Sequence, residues 1–259
     1  MGQPRASQRV RRHIRALESG VLQFHRPSIG IFSRRLRTGA IAAIVFSAVL
    51  VPVFAQPSAG QASAIEVIGP PPDPSFSATM VQALDAKGYR ILPGPGSAAI
   101  EIWFCKQMPA QPKPANADAI YDRLSETTLI GVLHFTKNTN DYRGQSVAAG
   151  YYSLRYALMP NDGNHLGVAP GRDFLLLVPL AVDPGPKKTP TIQELMLLSG
   201  QAAGTKHPAP LSLVSAQSDG SKPTLTRDDE GDVIFTAAVH LTSGEELPIA
   251  LIVKGTAPQ

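Results

Sequence analysis

The residues best placed to do chemistry fall in one polar stretch, Pro160-Asn-Asp-Gly-Asn-His-Leu-Gly-Val-Ala-Pro-Gly-Arg-Asp-Phe174. Hard cations collect oxygens from carboxylates, amides and backbone carbonyls. Asp162, Asn164, Gly167 and Asp173 hold the first, third, sixth and twelfth places of a calcium-loop spacing. Leu166 fills the fifth place, where an oxygen is needed, and Pro170 restricts the backbone. The same residues also read as turn chemistry, because Asn and Gly accept positive φ and Asp closes an Asx turn. A second possibility joins His165 to His207 and Asp173. Two imidazoles and a carboxylate can hold a divalent transition metal with open positions, and such a metal activates water for hydrolysis. The alternative is a pair of ordinary loop histidines.

Other candidates lie outside this stretch. Arg155 shares a strand face with Tyr151 and Ser153. Rings stack on sugars and a guanidinium forks to carboxylates, so Tyr151, Arg155 and the nearby Asp162 and Asn164 could form a ligand face. The competing reading is a solvated sheet face with a structural ion pair, for which Arg172-Asp173 offers a carboxylate. His134 and His240 lie in apolar runs and are expected to be half-buried sheet residues. The acidic run Asp228-Asp229-Glu230 with Asp232 reads as a solvated turn. Cys105 is the one cysteine, so an internal disulfide and a C-x-x-C pair are both excluded. Its apolar context, IEIWFC, suggests a small buried hydrophobe rather than a nucleophile. The chain has no G-x-S-x-G, no H-E-x-x-H and no phosphate-binding glycine motif following a strand.

These residues need elements to position them, and most of the pattern is strand-like. Residues 98–105 alternate apolar with other side chains. Residues 127–136 are apolar on both faces, as in a central strand. Residues 150–159 alternate cleanly, 174–178 form an apolar run, and 233–240 with 249–253 suit a hairpin around Gly244. Two helices are expected. One follows Ser77, with Met80, Val81 and Leu84 on one face and Gly88 as its stop. The other starts from the capping box Thr191-Ile-Gln-Glu194 and stops at Gly200. Strands without regular intervening helices argue against a doubly wound sheet. The expectation is a mainly β fold: a single antiparallel β-sandwich or open barrel with one or two peripheral helices.

The stretch Ala149-Gly-Tyr-Tyr-Ser-Leu-Arg-Tyr-Ala-Leu-Met-Pro160 resembles a motif of a family of secreted bacterial β-sandwich proteins of unknown function, in which a Gly-x-Tyr-x-Leu strand ends in a Pro. The resemblance implies export and an antiparallel sandwich, and it carries no activity.

The N-terminus points the same way. Nine Arg and one acid, Glu18, precede Ala40, and residues 40–55 carry no charge and end in Val-Phe-Ala. A charged segment, an apolar segment and a small-residue end are the parts of a secretory signal. Residues 1–55 are therefore read as a signal peptide, 56–76 as a Pro/Gly/Ser-rich tether that can hold a short strand at 64–68, and 77–259 as the domain. The apolar run is short for a permanent span, so contact with a membrane is expected only through an uncleaved signal. Nine of the 24 basic and one of the 20 acidic residues leave with the signal, so the remainder has 15 against 19, a net of −4. That balance argues against nucleic-acid binding. Two functions stay open. The favoured one is a non-catalytic, periplasmic or secreted binding or accessory module of the envelope, without a cofactor, whose partner is an envelope protein, a glycan or a small molecule. The other is a small metal-assisted hydrolase built on His165, Asp173 and His207.

Overall fold

The computed structural model describes residues 63–72, 76–112, 118–160 and 169–257. The signal segment, the start of the tether, Asp162, Asn164 and His165 lie outside these residues. The strands are β1 (Ala64–Ile68), β2 (Gly88–Leu92), β3 (Ile100–Phe104), β4 (Leu129–Phe135), β5 (Thr139–Asn140), β6 (Ser146–Val147), β7 (Gly150–Leu158), β8 (Asp173–Pro179), β9 (Pro210–Val214), β10 (Thr224–Arg227), β11 (Val233–His240) and β12 (Glu246–Lys254). The helices are α1 (Ala78–Ala83) and α2 (Ile192–Ala203).

Ten strands form one sheet in the order β1-β2-β3-β4-β7-β8-β9-β12-β11-β10. Every named pairing is antiparallel. After β9 the chain steps out to β10 and returns through β11, so that β12 pairs with β9 and β10 is left at the edge. That edge approaches β1 and the sheet nearly closes into a barrel. The expected open barrel is thus the observed architecture.

The inside is filled rather than hollow. Ile102, Phe104, Leu133, Tyr156, Leu177 and Phe235 belong to one continuous buried core. Period-two alternation sends the intervening residues outward, where the helices cover part of them. Leu195 of α2 packs on Ala157, Phe174, Leu176 and Val178 of β7 and β8. Phe76, just before α1, meets the rings of Trp103 and Tyr151 edge-on. This double cover explains why all of β3 and nearly all of β4 are buried.

The short strand expected at 64–68 within the tether forms as β1: it pairs along its full length with β2, and Trp103 Nε1 donates to the Gly69 carbonyl at 2.9 Å. Two expectations about the elements need correction. Helix α1 ends at Ala83, because Leu84 turns extended to bridge Cys105 and Asp85 N donates to Phe104 O. Gly88 is then a strand residue, and a Cβ there would strike the Trp103 indole. The capping box at Thr191 forms as read, but Gly200 lies inside α2 and Gly204 is the left-handed cap.

Candidate functional site

The two ends of the barrel differ. At the end where β7 finishes and β8 begins, the crossover between β3 and β4 folds over the opening. Tyr121 is its centrepiece: the hydroxyl donates to Val214 O at 2.7 Å and accepts from Ala250 N at 2.8 Å. Burial pushes the Tyr121 hydroxyl up to about 12. Asp173 completes the seal. Its Oδ2 accepts from Ile120 N, and its Oδ1 from Tyr121 N and, at 2.6 Å, from the Tyr156 hydroxyl. Asp173 is 1% exposed.

The opposite end is a cleft of about 670 Å³. Its floor is Ile100 and Val253, which belong to the inner surface of the barrel. Its walls come from the β2–β3 turn, the β5–β6 hairpin, the turn before β11 and the residues after β12, and they present Ser97, Asn140, Ser146 and Thr256. Charged residues of the lining are Asp141, Glu230 and Asp232 against Lys254. Asp141 is buried, and its carboxylate accepts from Arg143 N, Gln145 N and Gln145 Nε2. Asp232 is buried too, so the acidic run is only partly a solvated turn: residues 228–231 turn at the surface and Asp232 points in. Burial holds the Asp232 carboxyl above its ordinary value, helped by the charges of Asp228 and Glu230, against the lowering effect of a hydrogen bond from Tyr142. The Tyr142 hydroxyl is pushed up to about 12, by burial first and then by Asp232. Gly255 passes so close to Asp232 that a Cβ would meet the carboxylate.

The residues singled out in the sequence are placed as follows. Arg155 is not on a solvated face. It is 1% exposed, and its partner is Asp183 rather than Asp173. Nε and Nη2 fork to the two Asp183 oxygens, while Nη1 and Nη2 also reach the carbonyls of Thr127, Lys188 and Gly185. With Ser153 also donating to Asp183 at 2.5 Å, the network ties the loop after β8 to the sheet. Burial pushes the Asp183 carboxyl up, but the bonds from Arg155, Ser153 and Gly185 N outweigh it and hold it below its ordinary value. Tyr151 stacks on His134 with ring centroids 4.1 Å apart. His207 lines a small cleft with Met159, Pro160, Phe174 and Met196. Phe174 and Asp173 are strand neighbours and point to opposite sides of β8, so Asp173 faces away from the His207 cleft. Among the described residues no group of three or more His, Cys, Asp or Glu is arranged to hold a metal ion. Cys105 is buried, and burial pushes its thiol up to about 12, which leaves it unreactive. His240 is exposed, not half-buried.

One arrangement was invisible along the chain. Strand register lines up Glu66, Arg90, Glu101, His134 and Tyr151 in a row across five strands. Arg90 donates to Glu101 Oε1 at 2.7 and 2.9 Å, and His134 Nδ1 lies 2.8 Å from Oε2. Burial pushes the Glu101 carboxyl up, yet these two neighbours hold it below its ordinary value.

Compared with known proteins, the chain matches no family model, no curated protein and no solved structure.

Proposed function

We propose that this chain is an exported binding module of the cell envelope, periplasmic or secreted, and that its ligand sits in the open end of the barrel. The observation that carries the reading is the contrast between a barrel packed solid along its length and one mouth left open over an apolar floor. Barrel mouths are recurrent ligand sites, with apolar floors and a few polar groups that orient the guest. Arg155, expected on a ligand face, and Asp173, a candidate metal ligand, both direct their polar atoms to the scaffold, and neither faces the open mouth. Three carboxylates against one ammonium disfavour an anionic guest. Hydroxyl and amide walls suit a glycan or another small, polar, uncharged molecule. The signal-like N-terminus and the Gly-x-Tyr-x-Leu resemblance give the reason for placing it outside the cytoplasm. Among the described residues, no helix is long and apolar enough to cross a membrane.

Amide chemical-shift mapping with neutral oligosaccharides and N-acetylated amino-sugar oligomers tests the proposal. Shifts confined to residues 138–146, 230–232 and 253–256, and abolished by Asn140→Trp, are expected. Shifts elsewhere sink it. Elemental analysis with a melt in chelator runs alongside: a stoichiometric metal lost with chelator and with His207→Ala would move the assignment to the metal-assisted reading.

A further inference from the structure

A second cleft, of about 550 Å³, lies on the outer side of the sheet between α1, the β3–β4 crossover and the loop after β8. Its chemistry is the reverse of the barrel mouth. Lys106 and Lys188 line it, together with the hydroxyls of Ser125, Thr128, Thr189 and Thr242. The one carboxylate of its lining, Glu126, is drawn aside to accept from Leu158 N at 3.0 Å. At its base lies the Arg155–Asp183 pair, in which the two charges cancel. The surplus is therefore positive and comes from the two lysines. Both are exposed, so neither is needed to fill the core.

The backbone at this cleft is also unusual. Thr127 lines it and has φ of 72°, the one non-glycine positive φ among the described residues. A β-branched residue is strained there, and such strain persists only where the surroundings impose it. Here they do. Thr127 N donates to Tyr156 O at 2.7 Å, and Thr127 O accepts from Arg155 Nη1 at 3.1 Å. The turn thereby places Ser125, Thr127 and Thr128 together along one wall. Opposite them, the carbonyls of Gly185 and Lys188 are drawn down onto the same guanidinium, which fixes the loop bearing Lys188 and Thr189. Arg155 thus anchors both walls of the cleft from below.

We propose that this cleft is a second binding site, selective for a tetrahedral oxyanion of the phosphate or sulfate type, free or as a group on a larger molecule. Hydroxyl donors on two fixed walls and two ammonium groups are the set that such an anion needs. The site is independent of the barrel mouth, which disfavours anions.

The test uses the full chain, titrated with inorganic phosphate or sodium sulfate against chloride at matched ionic strength, with amide shifts as readout. Saturable shifts at Thr127, Thr128 and Thr189 are expected with either tetrahedral anion and not with chloride. Lys106→Gln combined with Lys188→Gln should weaken the midpoint at least tenfold without changing the melting temperature measured in chloride. Asn140→Trp at the barrel mouth should leave the titration unchanged. Absence of saturable shifts at these amides, or a midpoint that the double lysine variant retains, overturns the proposal.

Discussion

The sealed and open ends of the barrel use the same kinds of group to opposite effect. At the sealed end Asp173 and Tyr121 bond to residues far away in sequence: Asp173 to the crossover and to Tyr156, Tyr121 to β9 and β12. At the open end Asp141 and Asp228 accept from backbone groups two to four residues away. Long-range bonds tie separate strands together and fail only when the barrel fails. Local bonds shape one turn and leave its neighbours free to adjust. Asp232 departs from this contrast, because its partners Tyr142 and Thr256 are remote in sequence, so the contrast lies between Asp173 at the sealed end and Asp141 at the open one.

The largest expected effect breaks that contrast or sustains it. Asp173→Ala removes the acceptor for two backbone amides and a hydroxyl in a site with 1% exposure. Buried donors left unpaired cost about 1–3 kcal/mol each, so a loss of ~3–5 kcal/mol is expected in urea unfolding. Asp141→Ala orphans two amides as well, but in a turn beside an open cleft where water can replace the carboxylate, and ~1 kcal/mol is expected. Equal losses would mean that the two ends are alike.

A smaller effect sharpens the same comparison. Tyr156→Phe deletes a 2.6 Å bond to a fully committed carboxylate and should cost ~1.5–3 kcal/mol, the range for hydrogen bonds to charged groups. Tyr142→Phe deletes the partner of Asp232 at the open end, where solvent is at hand, and under ~1 kcal/mol is expected. A reversed order in chemical denaturation would refute the assignment of seal and lining.

The strands were legible where periodicity was long. Residues 233–240 match β11 residue for residue, and the doubly apolar 127–136 run became the central β4. Strands β9 and β10 were not legible: PLSLV starts on a proline among turn residues, and TLTR is a short, half-polar edge. Arg155 was legible as a polar residue on an outward face, but its burial depends on a loop whose return no local pattern announces. The row from Glu66 to Tyr151 needed four strand registers at once. The open-end cleft was out of reach for a different reason. It is assembled from three turns and the segment after β12, and each turn reads alone as ordinary Gly, Asn, Ser and Asp turn chemistry.

The smallest effect concerns charge. Asp183 and Asp232 are both buried carboxyls, displaced in opposite directions: Asp183 below its ordinary value, where its bonds from Arg155 and Ser153 outweigh burial, Asp232 above it, by burial and the charges of Asp228 and Glu230. For a lowered carboxyl the folded state binds fewer protons than the unfolded one. The stability from Asp183 is then present above the unfolded value and lost as pH falls through the folded one. For a raised carboxyl the sign reverses. Between the unfolded and folded values the native state holds the extra proton, so stability declines as pH rises through that window, and the deficit persists at neutral pH. Asp232→Asn removes this deficit while keeping an oxygen for the Tyr142 hydroxyl. It should raise the melting temperature slightly at pH 7, with the gain shrinking as the pH approaches the ordinary carboxyl value. Asp183→Asn should lower the melting temperature at pH 7, with a deficit that narrows on acidification. If Asp232→Asn lowers stability at pH 7 and the loss fades in acid, Asp232 is a seal like Asp173, and the open end is closed by design.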